Sequence, residues 1–217
     1  FFIPFFPIAS SNLKILNNYD VIISDSAGYS KGFKTPKNIF HISYLHTPLR
    51  YAWEFKHYFK SHLLKFLGFP MANYLKNWDL KSSKNPDRIL VPSYFIKEKV
   101  LKFYKRDSET IHPPVDWKYI NSFAEKNKQT ENFYLAAGRR LDYKRFDLVI
   151  EAFKKLGYPL KIVGIGREMK NLKNLAGNAK NIEFLGFVSK ENLYEMYSKT
   201  KGFIFPQIED FGLVAAE

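Results

Sequence analysis

The 217 residues contain no cysteine. That absence excludes a disulfide framework, a thiolate metal site and a cysteine nucleophile, and it fits a reducing compartment, for which the cytoplasm is the default expectation. Methionine is missing from the first position. The opening FFIPFFPIAS is too short and too broken by proline to span a bilayer, and it lacks the basic start of a signal peptide. It reads as an internal segment. The final residue falls inside an expected helix, so the sequence reads as a piece of a longer protein.

What is present suits a globular chain. Hydrophobic residues make up 46% and aromatics 18%, enough to bury a core at a length that fits one large or two small domains. The net charge is +13 and is unevenly spread: residues 1–130 carry 20 Lys and Arg against 10 Asp and Glu, residues 131–217 carry 14 against 11. Such an excess favours anionic partners, whether a phospholipid surface, nucleic acid or a phosphorylated substrate; the plainer reading is a solvated basic face.

From Asn132 onward short apolar runs alternate with amphipathic ones: NFYLAAG, KRFDLVIEAFKKLG, PLKIVGIG, REMKNLKNLAGNAK, NIEFLGFV, SKENLYEMYSKTK, GFIFPQ and DFGLVAAE. This alternation predicts parallel strands joined by crossover helices, an open doubly wound sheet with four strands in view. Ser189 is placed to cap one helix, and Gly157 and Gly177 to end two others. The first half is less regular. YDVIISDSA, IFHISYLHTP and DRILVPS read as strands, and PSYFIKEKVLKFYKR as a helix capped by Ser93. IHPPVD is extended, because two prolines forbid helix. SFAEKNKQTEN is polar and lacks an apolar period, which predicts a linker over residues 117–131 between two Rossmann-like domains, 1–116 and 132–217.

In such a sheet ligands gather beyond the carboxyl ends of the strands, so the loops after strands carry most weight. After NFYLAA comes Gly138-Arg139-Arg140-Leu141-Asp142-Tyr143-Lys144-Arg145. A glycine there lets backbone approach a ligand, while cations at a helix start oppose the helix dipole by a few tenths of a kcal/mol to about 1 kcal/mol, a cost that a bound anion explains. Gly164-Ile165-Gly166 after PLKIV resembles half of a phosphate turn and is weak alone. His46 ends a strand in the first half; a lone histidine is more often structural than catalytic, and an expected place facing the cleft between the domains makes the two readings about even. The chain closes on EDFGLVAAE. With helix from about Phe211, Glu209 and Glu217 stand roughly 10 Å apart along its axis, the span from a sugar to the ribose of a sugar nucleotide. The plainer reading is two solvated acids on a surface helix.

Together GRRLDYKR, DLVIEAF, IVGIG, NIEFLGFVS, LYEMYS, FIFPQIEDFG and the E-x7-E ending resemble the donor domain of family 4 retaining glycosyltransferases, which have the two-domain GT-B fold. ISYLHTPLRYAW, NPDRILVPS and IHPPVD resemble the acceptor domain, above all in the mannosyltransferase branch of bacterial surface polysaccharide synthesis. The resemblance implies an α/β GT-B chain with two Rossmann-like domains, both incomplete here. It implies that Gly138, Arg139 and Lys144 hold the donor diphosphate, that Glu209 lies by the donor sugar as nucleophile or positioner, and that Glu217 accepts hydrogen bonds from ribose hydroxyls. It further implies backbone contacts from Phe211, Gly212 and Leu213 to the sugar and phosphate, a base contact from backbone near Phe187 and Val188, and a catalytic His46 that reaches the donor sugar from the acceptor side. No Asp-x-Asp motif is present, and the resemblance implies no metal and no cofactor. Gln207 stands where the family usually has a small residue, and the glycine-rich loop expected after the first acceptor-domain strand is missing.

The activity so implied is transfer of mannose from GDP-mannose, or of another sugar from its nucleotide, to a lipid-linked or lipopolysaccharide-type acceptor. The expected location is cytoplasmic and peripheral at the inner face of the plasma membrane. Residues 50–84 support an anionic membrane surface as partner, with seven Lys and Arg against two acids, and Phe55, Phe59, Leu63 and Phe66 at one-face helical spacing. The same stripe could equally pack against its own domain. The alternatives are another GT-B sugar-nucleotide enzyme, an epimerase or glucan synthase, and a basic nucleic-acid-binding module. Nucleic acid is disfavoured because the lysines are scattered and no recognised RNA or DNA motif occurs.

Overall fold

The computed structural model describes residues 3–16, 18–55, 62–127, 129–139 and 144–217, with backbone alone over 62–67. The chain divides into two compact units, Phe1–Pro113 and Pro114–Glu217.

The first unit begins with a short helix, α1 (Phe6–Ser11). Its sheet comprises β1 (Val21–Ser26), β2 (Phe40–Leu45), β3 (Arg88–Val91) and β4 (Glu109–Thr110), parallel and in the order β1-β2-β3-β4. The intervening helices are α2 (Arg50–Trp53), α3 (His62–Ser82) and α4 (Tyr94–Tyr104). The Ser93 hydroxyl accepts from the Ile96 amide at 3.2 Å and starts α4 as expected of an N-cap. The apolar side of α4, Ile96, Val100 and Tyr104, packs on Leu45, Ile89 and Val91 of the sheet. Residues 111–115, with their two prolines, hold no helix.

Helix α3 is held by an unusual core. Ala72, Leu75, Asp79 and Ser82 form its buried stripe, and Asp79 lies opposite Lys31, both side chains fully buried, with Nζ to Oδ1 at 2.5 Å. Lys31 also donates to the Gly28 carbonyl at 2.5 Å. The other carboxylate oxygen accepts from Trp53 Nε1 and the Tyr104 hydroxyl at 2.7 Å each and from the Leu49 amide at 3.3 Å. A buried ion pair is tolerated when its remaining hydrogen-bonding capacity is met in this way. Burial lowers the Lys31 pKa against the opposing pull of Asp79, and burial together with Asp79 raises that of Tyr104.

The second unit opens with α5 (Trp117–Lys126), followed by β5 (Tyr134–Ala137), α6 (Phe146–Leu156), β6 (Leu160–Val163), α7 (Met169–Ala176), β7 (Ile182–Gly186), α8 (Lys190–Lys199), β8 (Gly202–Phe203) and α9 (Leu213–Ala216). The strands are parallel in the order β7-β6-β5-β8. All four strands lie where the apolar runs predicted them. Ser189 caps α8 through the Asn192 amide at 3.2 Å, and Gly157 and Gly177 close α6 and α7 with φ of 72° and 58°. Ala136 faces a core built from α6 and α7. Leu135 and Ala137 face the opposite one, which includes Leu193, Met196 and Tyr197 of α8 and Val214 of α9. Helices on both faces of a parallel sheet make this doubly wound.

Two expectations need correction. Residues 117–131 were expected as an irregular linker; 117–126 are instead helix α5, which packs on α8 through ring contacts of Tyr119 and Phe123 with Tyr194. Its apolar face begins before the polar stretch that suggested a joint and continues into it at Phe123, and the Asp116 carboxylate caps the helix through the Tyr119 amide at 3.3 Å. The terminal helix starts at Leu213 rather than near Phe211, because Gly212 is left-handed with φ 82°. Of the aromatic stripe proposed for the basic segment, Phe59 lies outside the described residues, as do the side chains of Leu63 and Phe66. Among the described residues no helix is long and apolar enough to cross a membrane.

Candidate functional site

Reading the order β7-β6-β5-β8 along the chain, the sequence runs outward from β5 to β7 and then returns to β8 on the other side of β5. The reversal lies between β5 and β8. In doubly wound sheets ligands gather beyond the strand ends at such a switch point, beside the loops that follow its two strands. The described residues there include Gly138, Arg139 and Lys144 after β5 and Phe205 to Gly212 after β8.

Gly138 leaves β5 at φ 148° and donates its amide to the Val163 carbonyl at 3.2 Å. Gly164, which leaves β6 at φ 121°, comes so close that a Cβ there would overlap the Gly138 carbonyl oxygen. Its amide is bonded to the Gly186 carbonyl at 2.6 Å. The first glycine of the Gly164-Ile165-Gly166 turn is therefore required by strand-end packing. Gly164→Ala is expected to destabilise the second unit by about 3 kcal/mol, because strained φ and a backbone clash add together; a thermal midpoint that stays at the wild-type value would contradict this.

Arg139 is exposed, and residues 140–143 lie outside the described residues. Lys144 is buried at 9% exposure, and its ammonium is paired with the Glu209 carboxylate from the other loop. Arg145 turns the chain into α6 in a left-handed conformation, φ 53°, and its guanidinium pairs with Asp147 at 3.0 Å. The cations at this helix start thus divide: Lys144 reaches Glu209, and Arg145 is occupied by its own helix. The Asp147 carboxyl is held below its ordinary range chiefly by the Arg145 hydrogen bond.

On the β8 side Gln207 is buried, Ile208 is exposed, and Phe211 and Gly212 precede Leu213 at the start of α9. A Cβ on Gly212 would meet the Phe205 ring at 3.3 Å. Glu217 follows α9, and its Oε1 accepts from the Tyr194 hydroxyl at 3.2 Å. Val188, after β7, packs in the core beneath the α8 side, and Phe187 beside it is 78% exposed. In the first unit His46 follows β2; its amide is bonded to the Ser26 carbonyl at 2.9 Å and its Nε2 lies 2.5 Å from Asp25 Oδ1 at the end of β1. Among the described residues no cluster of three or more His, Asp or Glu side chains is arranged to hold a metal.

The second unit therefore brings Lys144 to Glu209, with Gly138 and Gly212 in the same two loops, and it sets Glu217 against Tyr194; His46 belongs to the other unit. Sequence reasoning missed Asp25, the Lys31–Asp79 pair and Tyr194. The Tyr194 signal lay within LYEMYS, two tyrosines at one-turn spacing; the partners of the buried pair are 48 residues apart and leave no local pattern.

Residues 118–217 match the family Glycosyl transferases group 1. The chain is 27% identical over 139 residues to an uncharacterized glycosyltransferase of Methanocaldococcus jannaschii, covering 63% of this chain and 38% of that protein. It is 29% identical over 143 residues to the O-antigen chain mannosyltransferase RfbU of Salmonella typhimurium, covering 63% and 40%. It thus matches about two-fifths of the length of these curated relatives. Among solved structures it is similar to a TarM variant of S. aureus in complex with fondaparinux, alpha-GlcNAc-glycerol and UDP, at TM-score 0.58 and 18% identity over 82% of this chain and 34% of that one. HepE of Anabaena, in complex with UDP and glucose, superposes at TM-score 0.56 and 14% identity over 87% and 53%. The fold is GT-B, with two Rossmann-like sheets, and the group 1 match falls on the unit that holds the Lys144–Glu209 pair.

Proposed function

We propose that the full-length protein is a retaining glycosyltransferase of group 1 that takes its sugar from a nucleotide donor bound to the second unit. The observation that carries this reading is the Lys144–Glu209 ion pair, which joins the two loops flanking the switch point. In the reaction the bond between the anomeric carbon and a diphosphate oxygen breaks, and the oxygen leaves with the electron pair. A cation already placed in a crevice lowers the cost of that developing charge without reorganising. Lys144, with Arg139 five residues before it, takes this role; Gly138 admits the diphosphate to the backbone; Glu209 stands at the sugar, as nucleophile or positioner; and Glu217 takes the ribose hydroxyls. Backbone of Phe211, Gly212 and Leu213 lines the sugar and phosphate side, and backbone at Val188 the base. His46 serves the acceptor side of the chemistry. The chain's own cations stand in for a metal, and no cofactor enters.

We assign the donor as GDP-mannose and the acceptor as a lipid-linked or lipopolysaccharide-type glycan, with the enzyme peripheral at the inner face of the plasma membrane. Support comes from the similarity to an O-antigen chain mannosyltransferase and from the surface of α3, where Phe69, Met71 and Tyr74 are exposed beside Lys76. A thermal-shift series with the full-length protein tests the donor. GDP and GDP-mannose are expected to raise the midpoint more than UDP, ADP or UDP-glucose, since stabilisation grows with ligand concentration over Kd. A larger shift with UDP would overturn the choice of base, and no shift with any nucleotide would overturn the donor site itself.

A further inference from the structure

We propose that Tyr194 is a positioning residue for Glu217, and that the clamp of aromatic rings around Tyr194 sets how well the site selects ribose. This rests on the reading of Glu217 as the ribose-binding acid. Tyr194 is 2% exposed, and its hydroxyl donates to Glu217 Oε1 at 3.2 Å. Its ring is enclosed by Tyr119 and Phe123 of α5, with centroids 5.9 and 5.8 Å away, and by Tyr197 one turn along α8 at 6.1 Å. The Lys190 ammonium lies 5.3 Å from the ring centroid.

A glutamate side chain has several rotatable bonds, so its carboxylate is held in one place only where a partner fixes it. Rotamer freedom has to be removed from outside, and a donor on a packed ring does so at low entropic cost. Burial, the chief cause, raises the Tyr194 pKa, which keeps the hydroxyl protonated as a donor at neutral pH. Tyr197 presents a second hydroxyl that is buried and has no hydrogen-bond partner among the described residues, and its pKa is raised by burial and then by Glu217. The two tyrosines thus line the approach to one acid. Helix α5, outside the expected donor domain, acts on the ribose end of the site by holding Tyr194 still.

The test compares a ribonucleoside diphosphate with its 2′,3′-dideoxy form on the full-length protein, using whichever of UDP and GDP the wild type binds. Wild type is expected to prefer the ribose form. Tyr194→Phe keeps the ring and its packing, and it is expected to weaken the ribose form about tenfold while leaving the dideoxy form unchanged, since a hydrogen bond to a charged group has been lost. Glu217→Gln should reduce the preference similarly, and the double variant should add little. A loss of packing would weaken both nucleotides alike and would overturn the proposal, as would a Tyr194→Phe protein that keeps the full preference. A wild type indifferent to the ribose hydroxyls would overturn the assignment of Glu217 and this inference with it.

Discussion

Lys144→Ala in the full-length protein is expected to lower sugar transfer by about 10²- to 10³-fold, the usual loss when one preorganised donor to a developing oxyanion is removed. The loss should appear in kcat and in nucleoside diphosphate affinity together, because the leaving group and the released product carry the same charge. Glu209→Ala should behave differently. It frees the Lys144 ammonium from its partner, so diphosphate affinity should hold while transfer falls. Steady-state kinetics with product-inhibition constants separates the two variants. Transfer at the wild-type rate by Lys144→Ala would remove the assigned role, and parallel loss of diphosphate binding in Glu209→Ala would mean that the carboxylate binds the donor phosphate side indirectly.

Lys31→Met is expected to destabilise the first unit by about 3–5 kcal/mol, since it leaves the Asp79 carboxylate charged, buried and short of its cation. Asp79 accepts from α2, α4 and the turn after β2 as well as from Lys31, so the damage should spread to all three. The double change Lys31→Met with Asp79→Leu should recover part of the loss, because removing both members of a buried pair is far less costly than removing one. Urea unfolding of the four proteins in the cycle measures the coupling. Single variants that each cost less than 1 kcal/mol would show that the pair contributes little.

Much of the second unit was legible because its determinants are local. Four apolar runs, Ser189 as a cap and glycines at 157 and 177 each act within a few residues, and each lies where local chemistry put it. The pairing of Lys144 with Glu209 was not legible, since the two are 65 residues apart and meet through the return of β8 to β5. For the same reason the sequence could point to Lys144 and Glu209 separately but not to their contact. Helix α5 is hidden in the sequence because Ser122 to Asn132 is mostly polar, while Tyr119 and Phe123 meet Tyr194, 75 and 71 residues later. In the first unit nothing in the sequence around Lys31 marks it, and only the fold brings Asp79 to it.

Strand β8 is two residues long and pairs with β5 through Tyr134 to Gly202 and Leu135 to Phe203. Loop-closure entropy makes so short and distant a pairing the last to repay its cost, whereas β5, β6 and β7 join neighbours close in sequence. The loops that carry Lys144 and Glu209 are thus expected to come together only in the closing step of folding. A polypeptide arrested before that step would own a hydrophobic interior and helices on its sheet, and would still lack the Lys144–Glu209 pair.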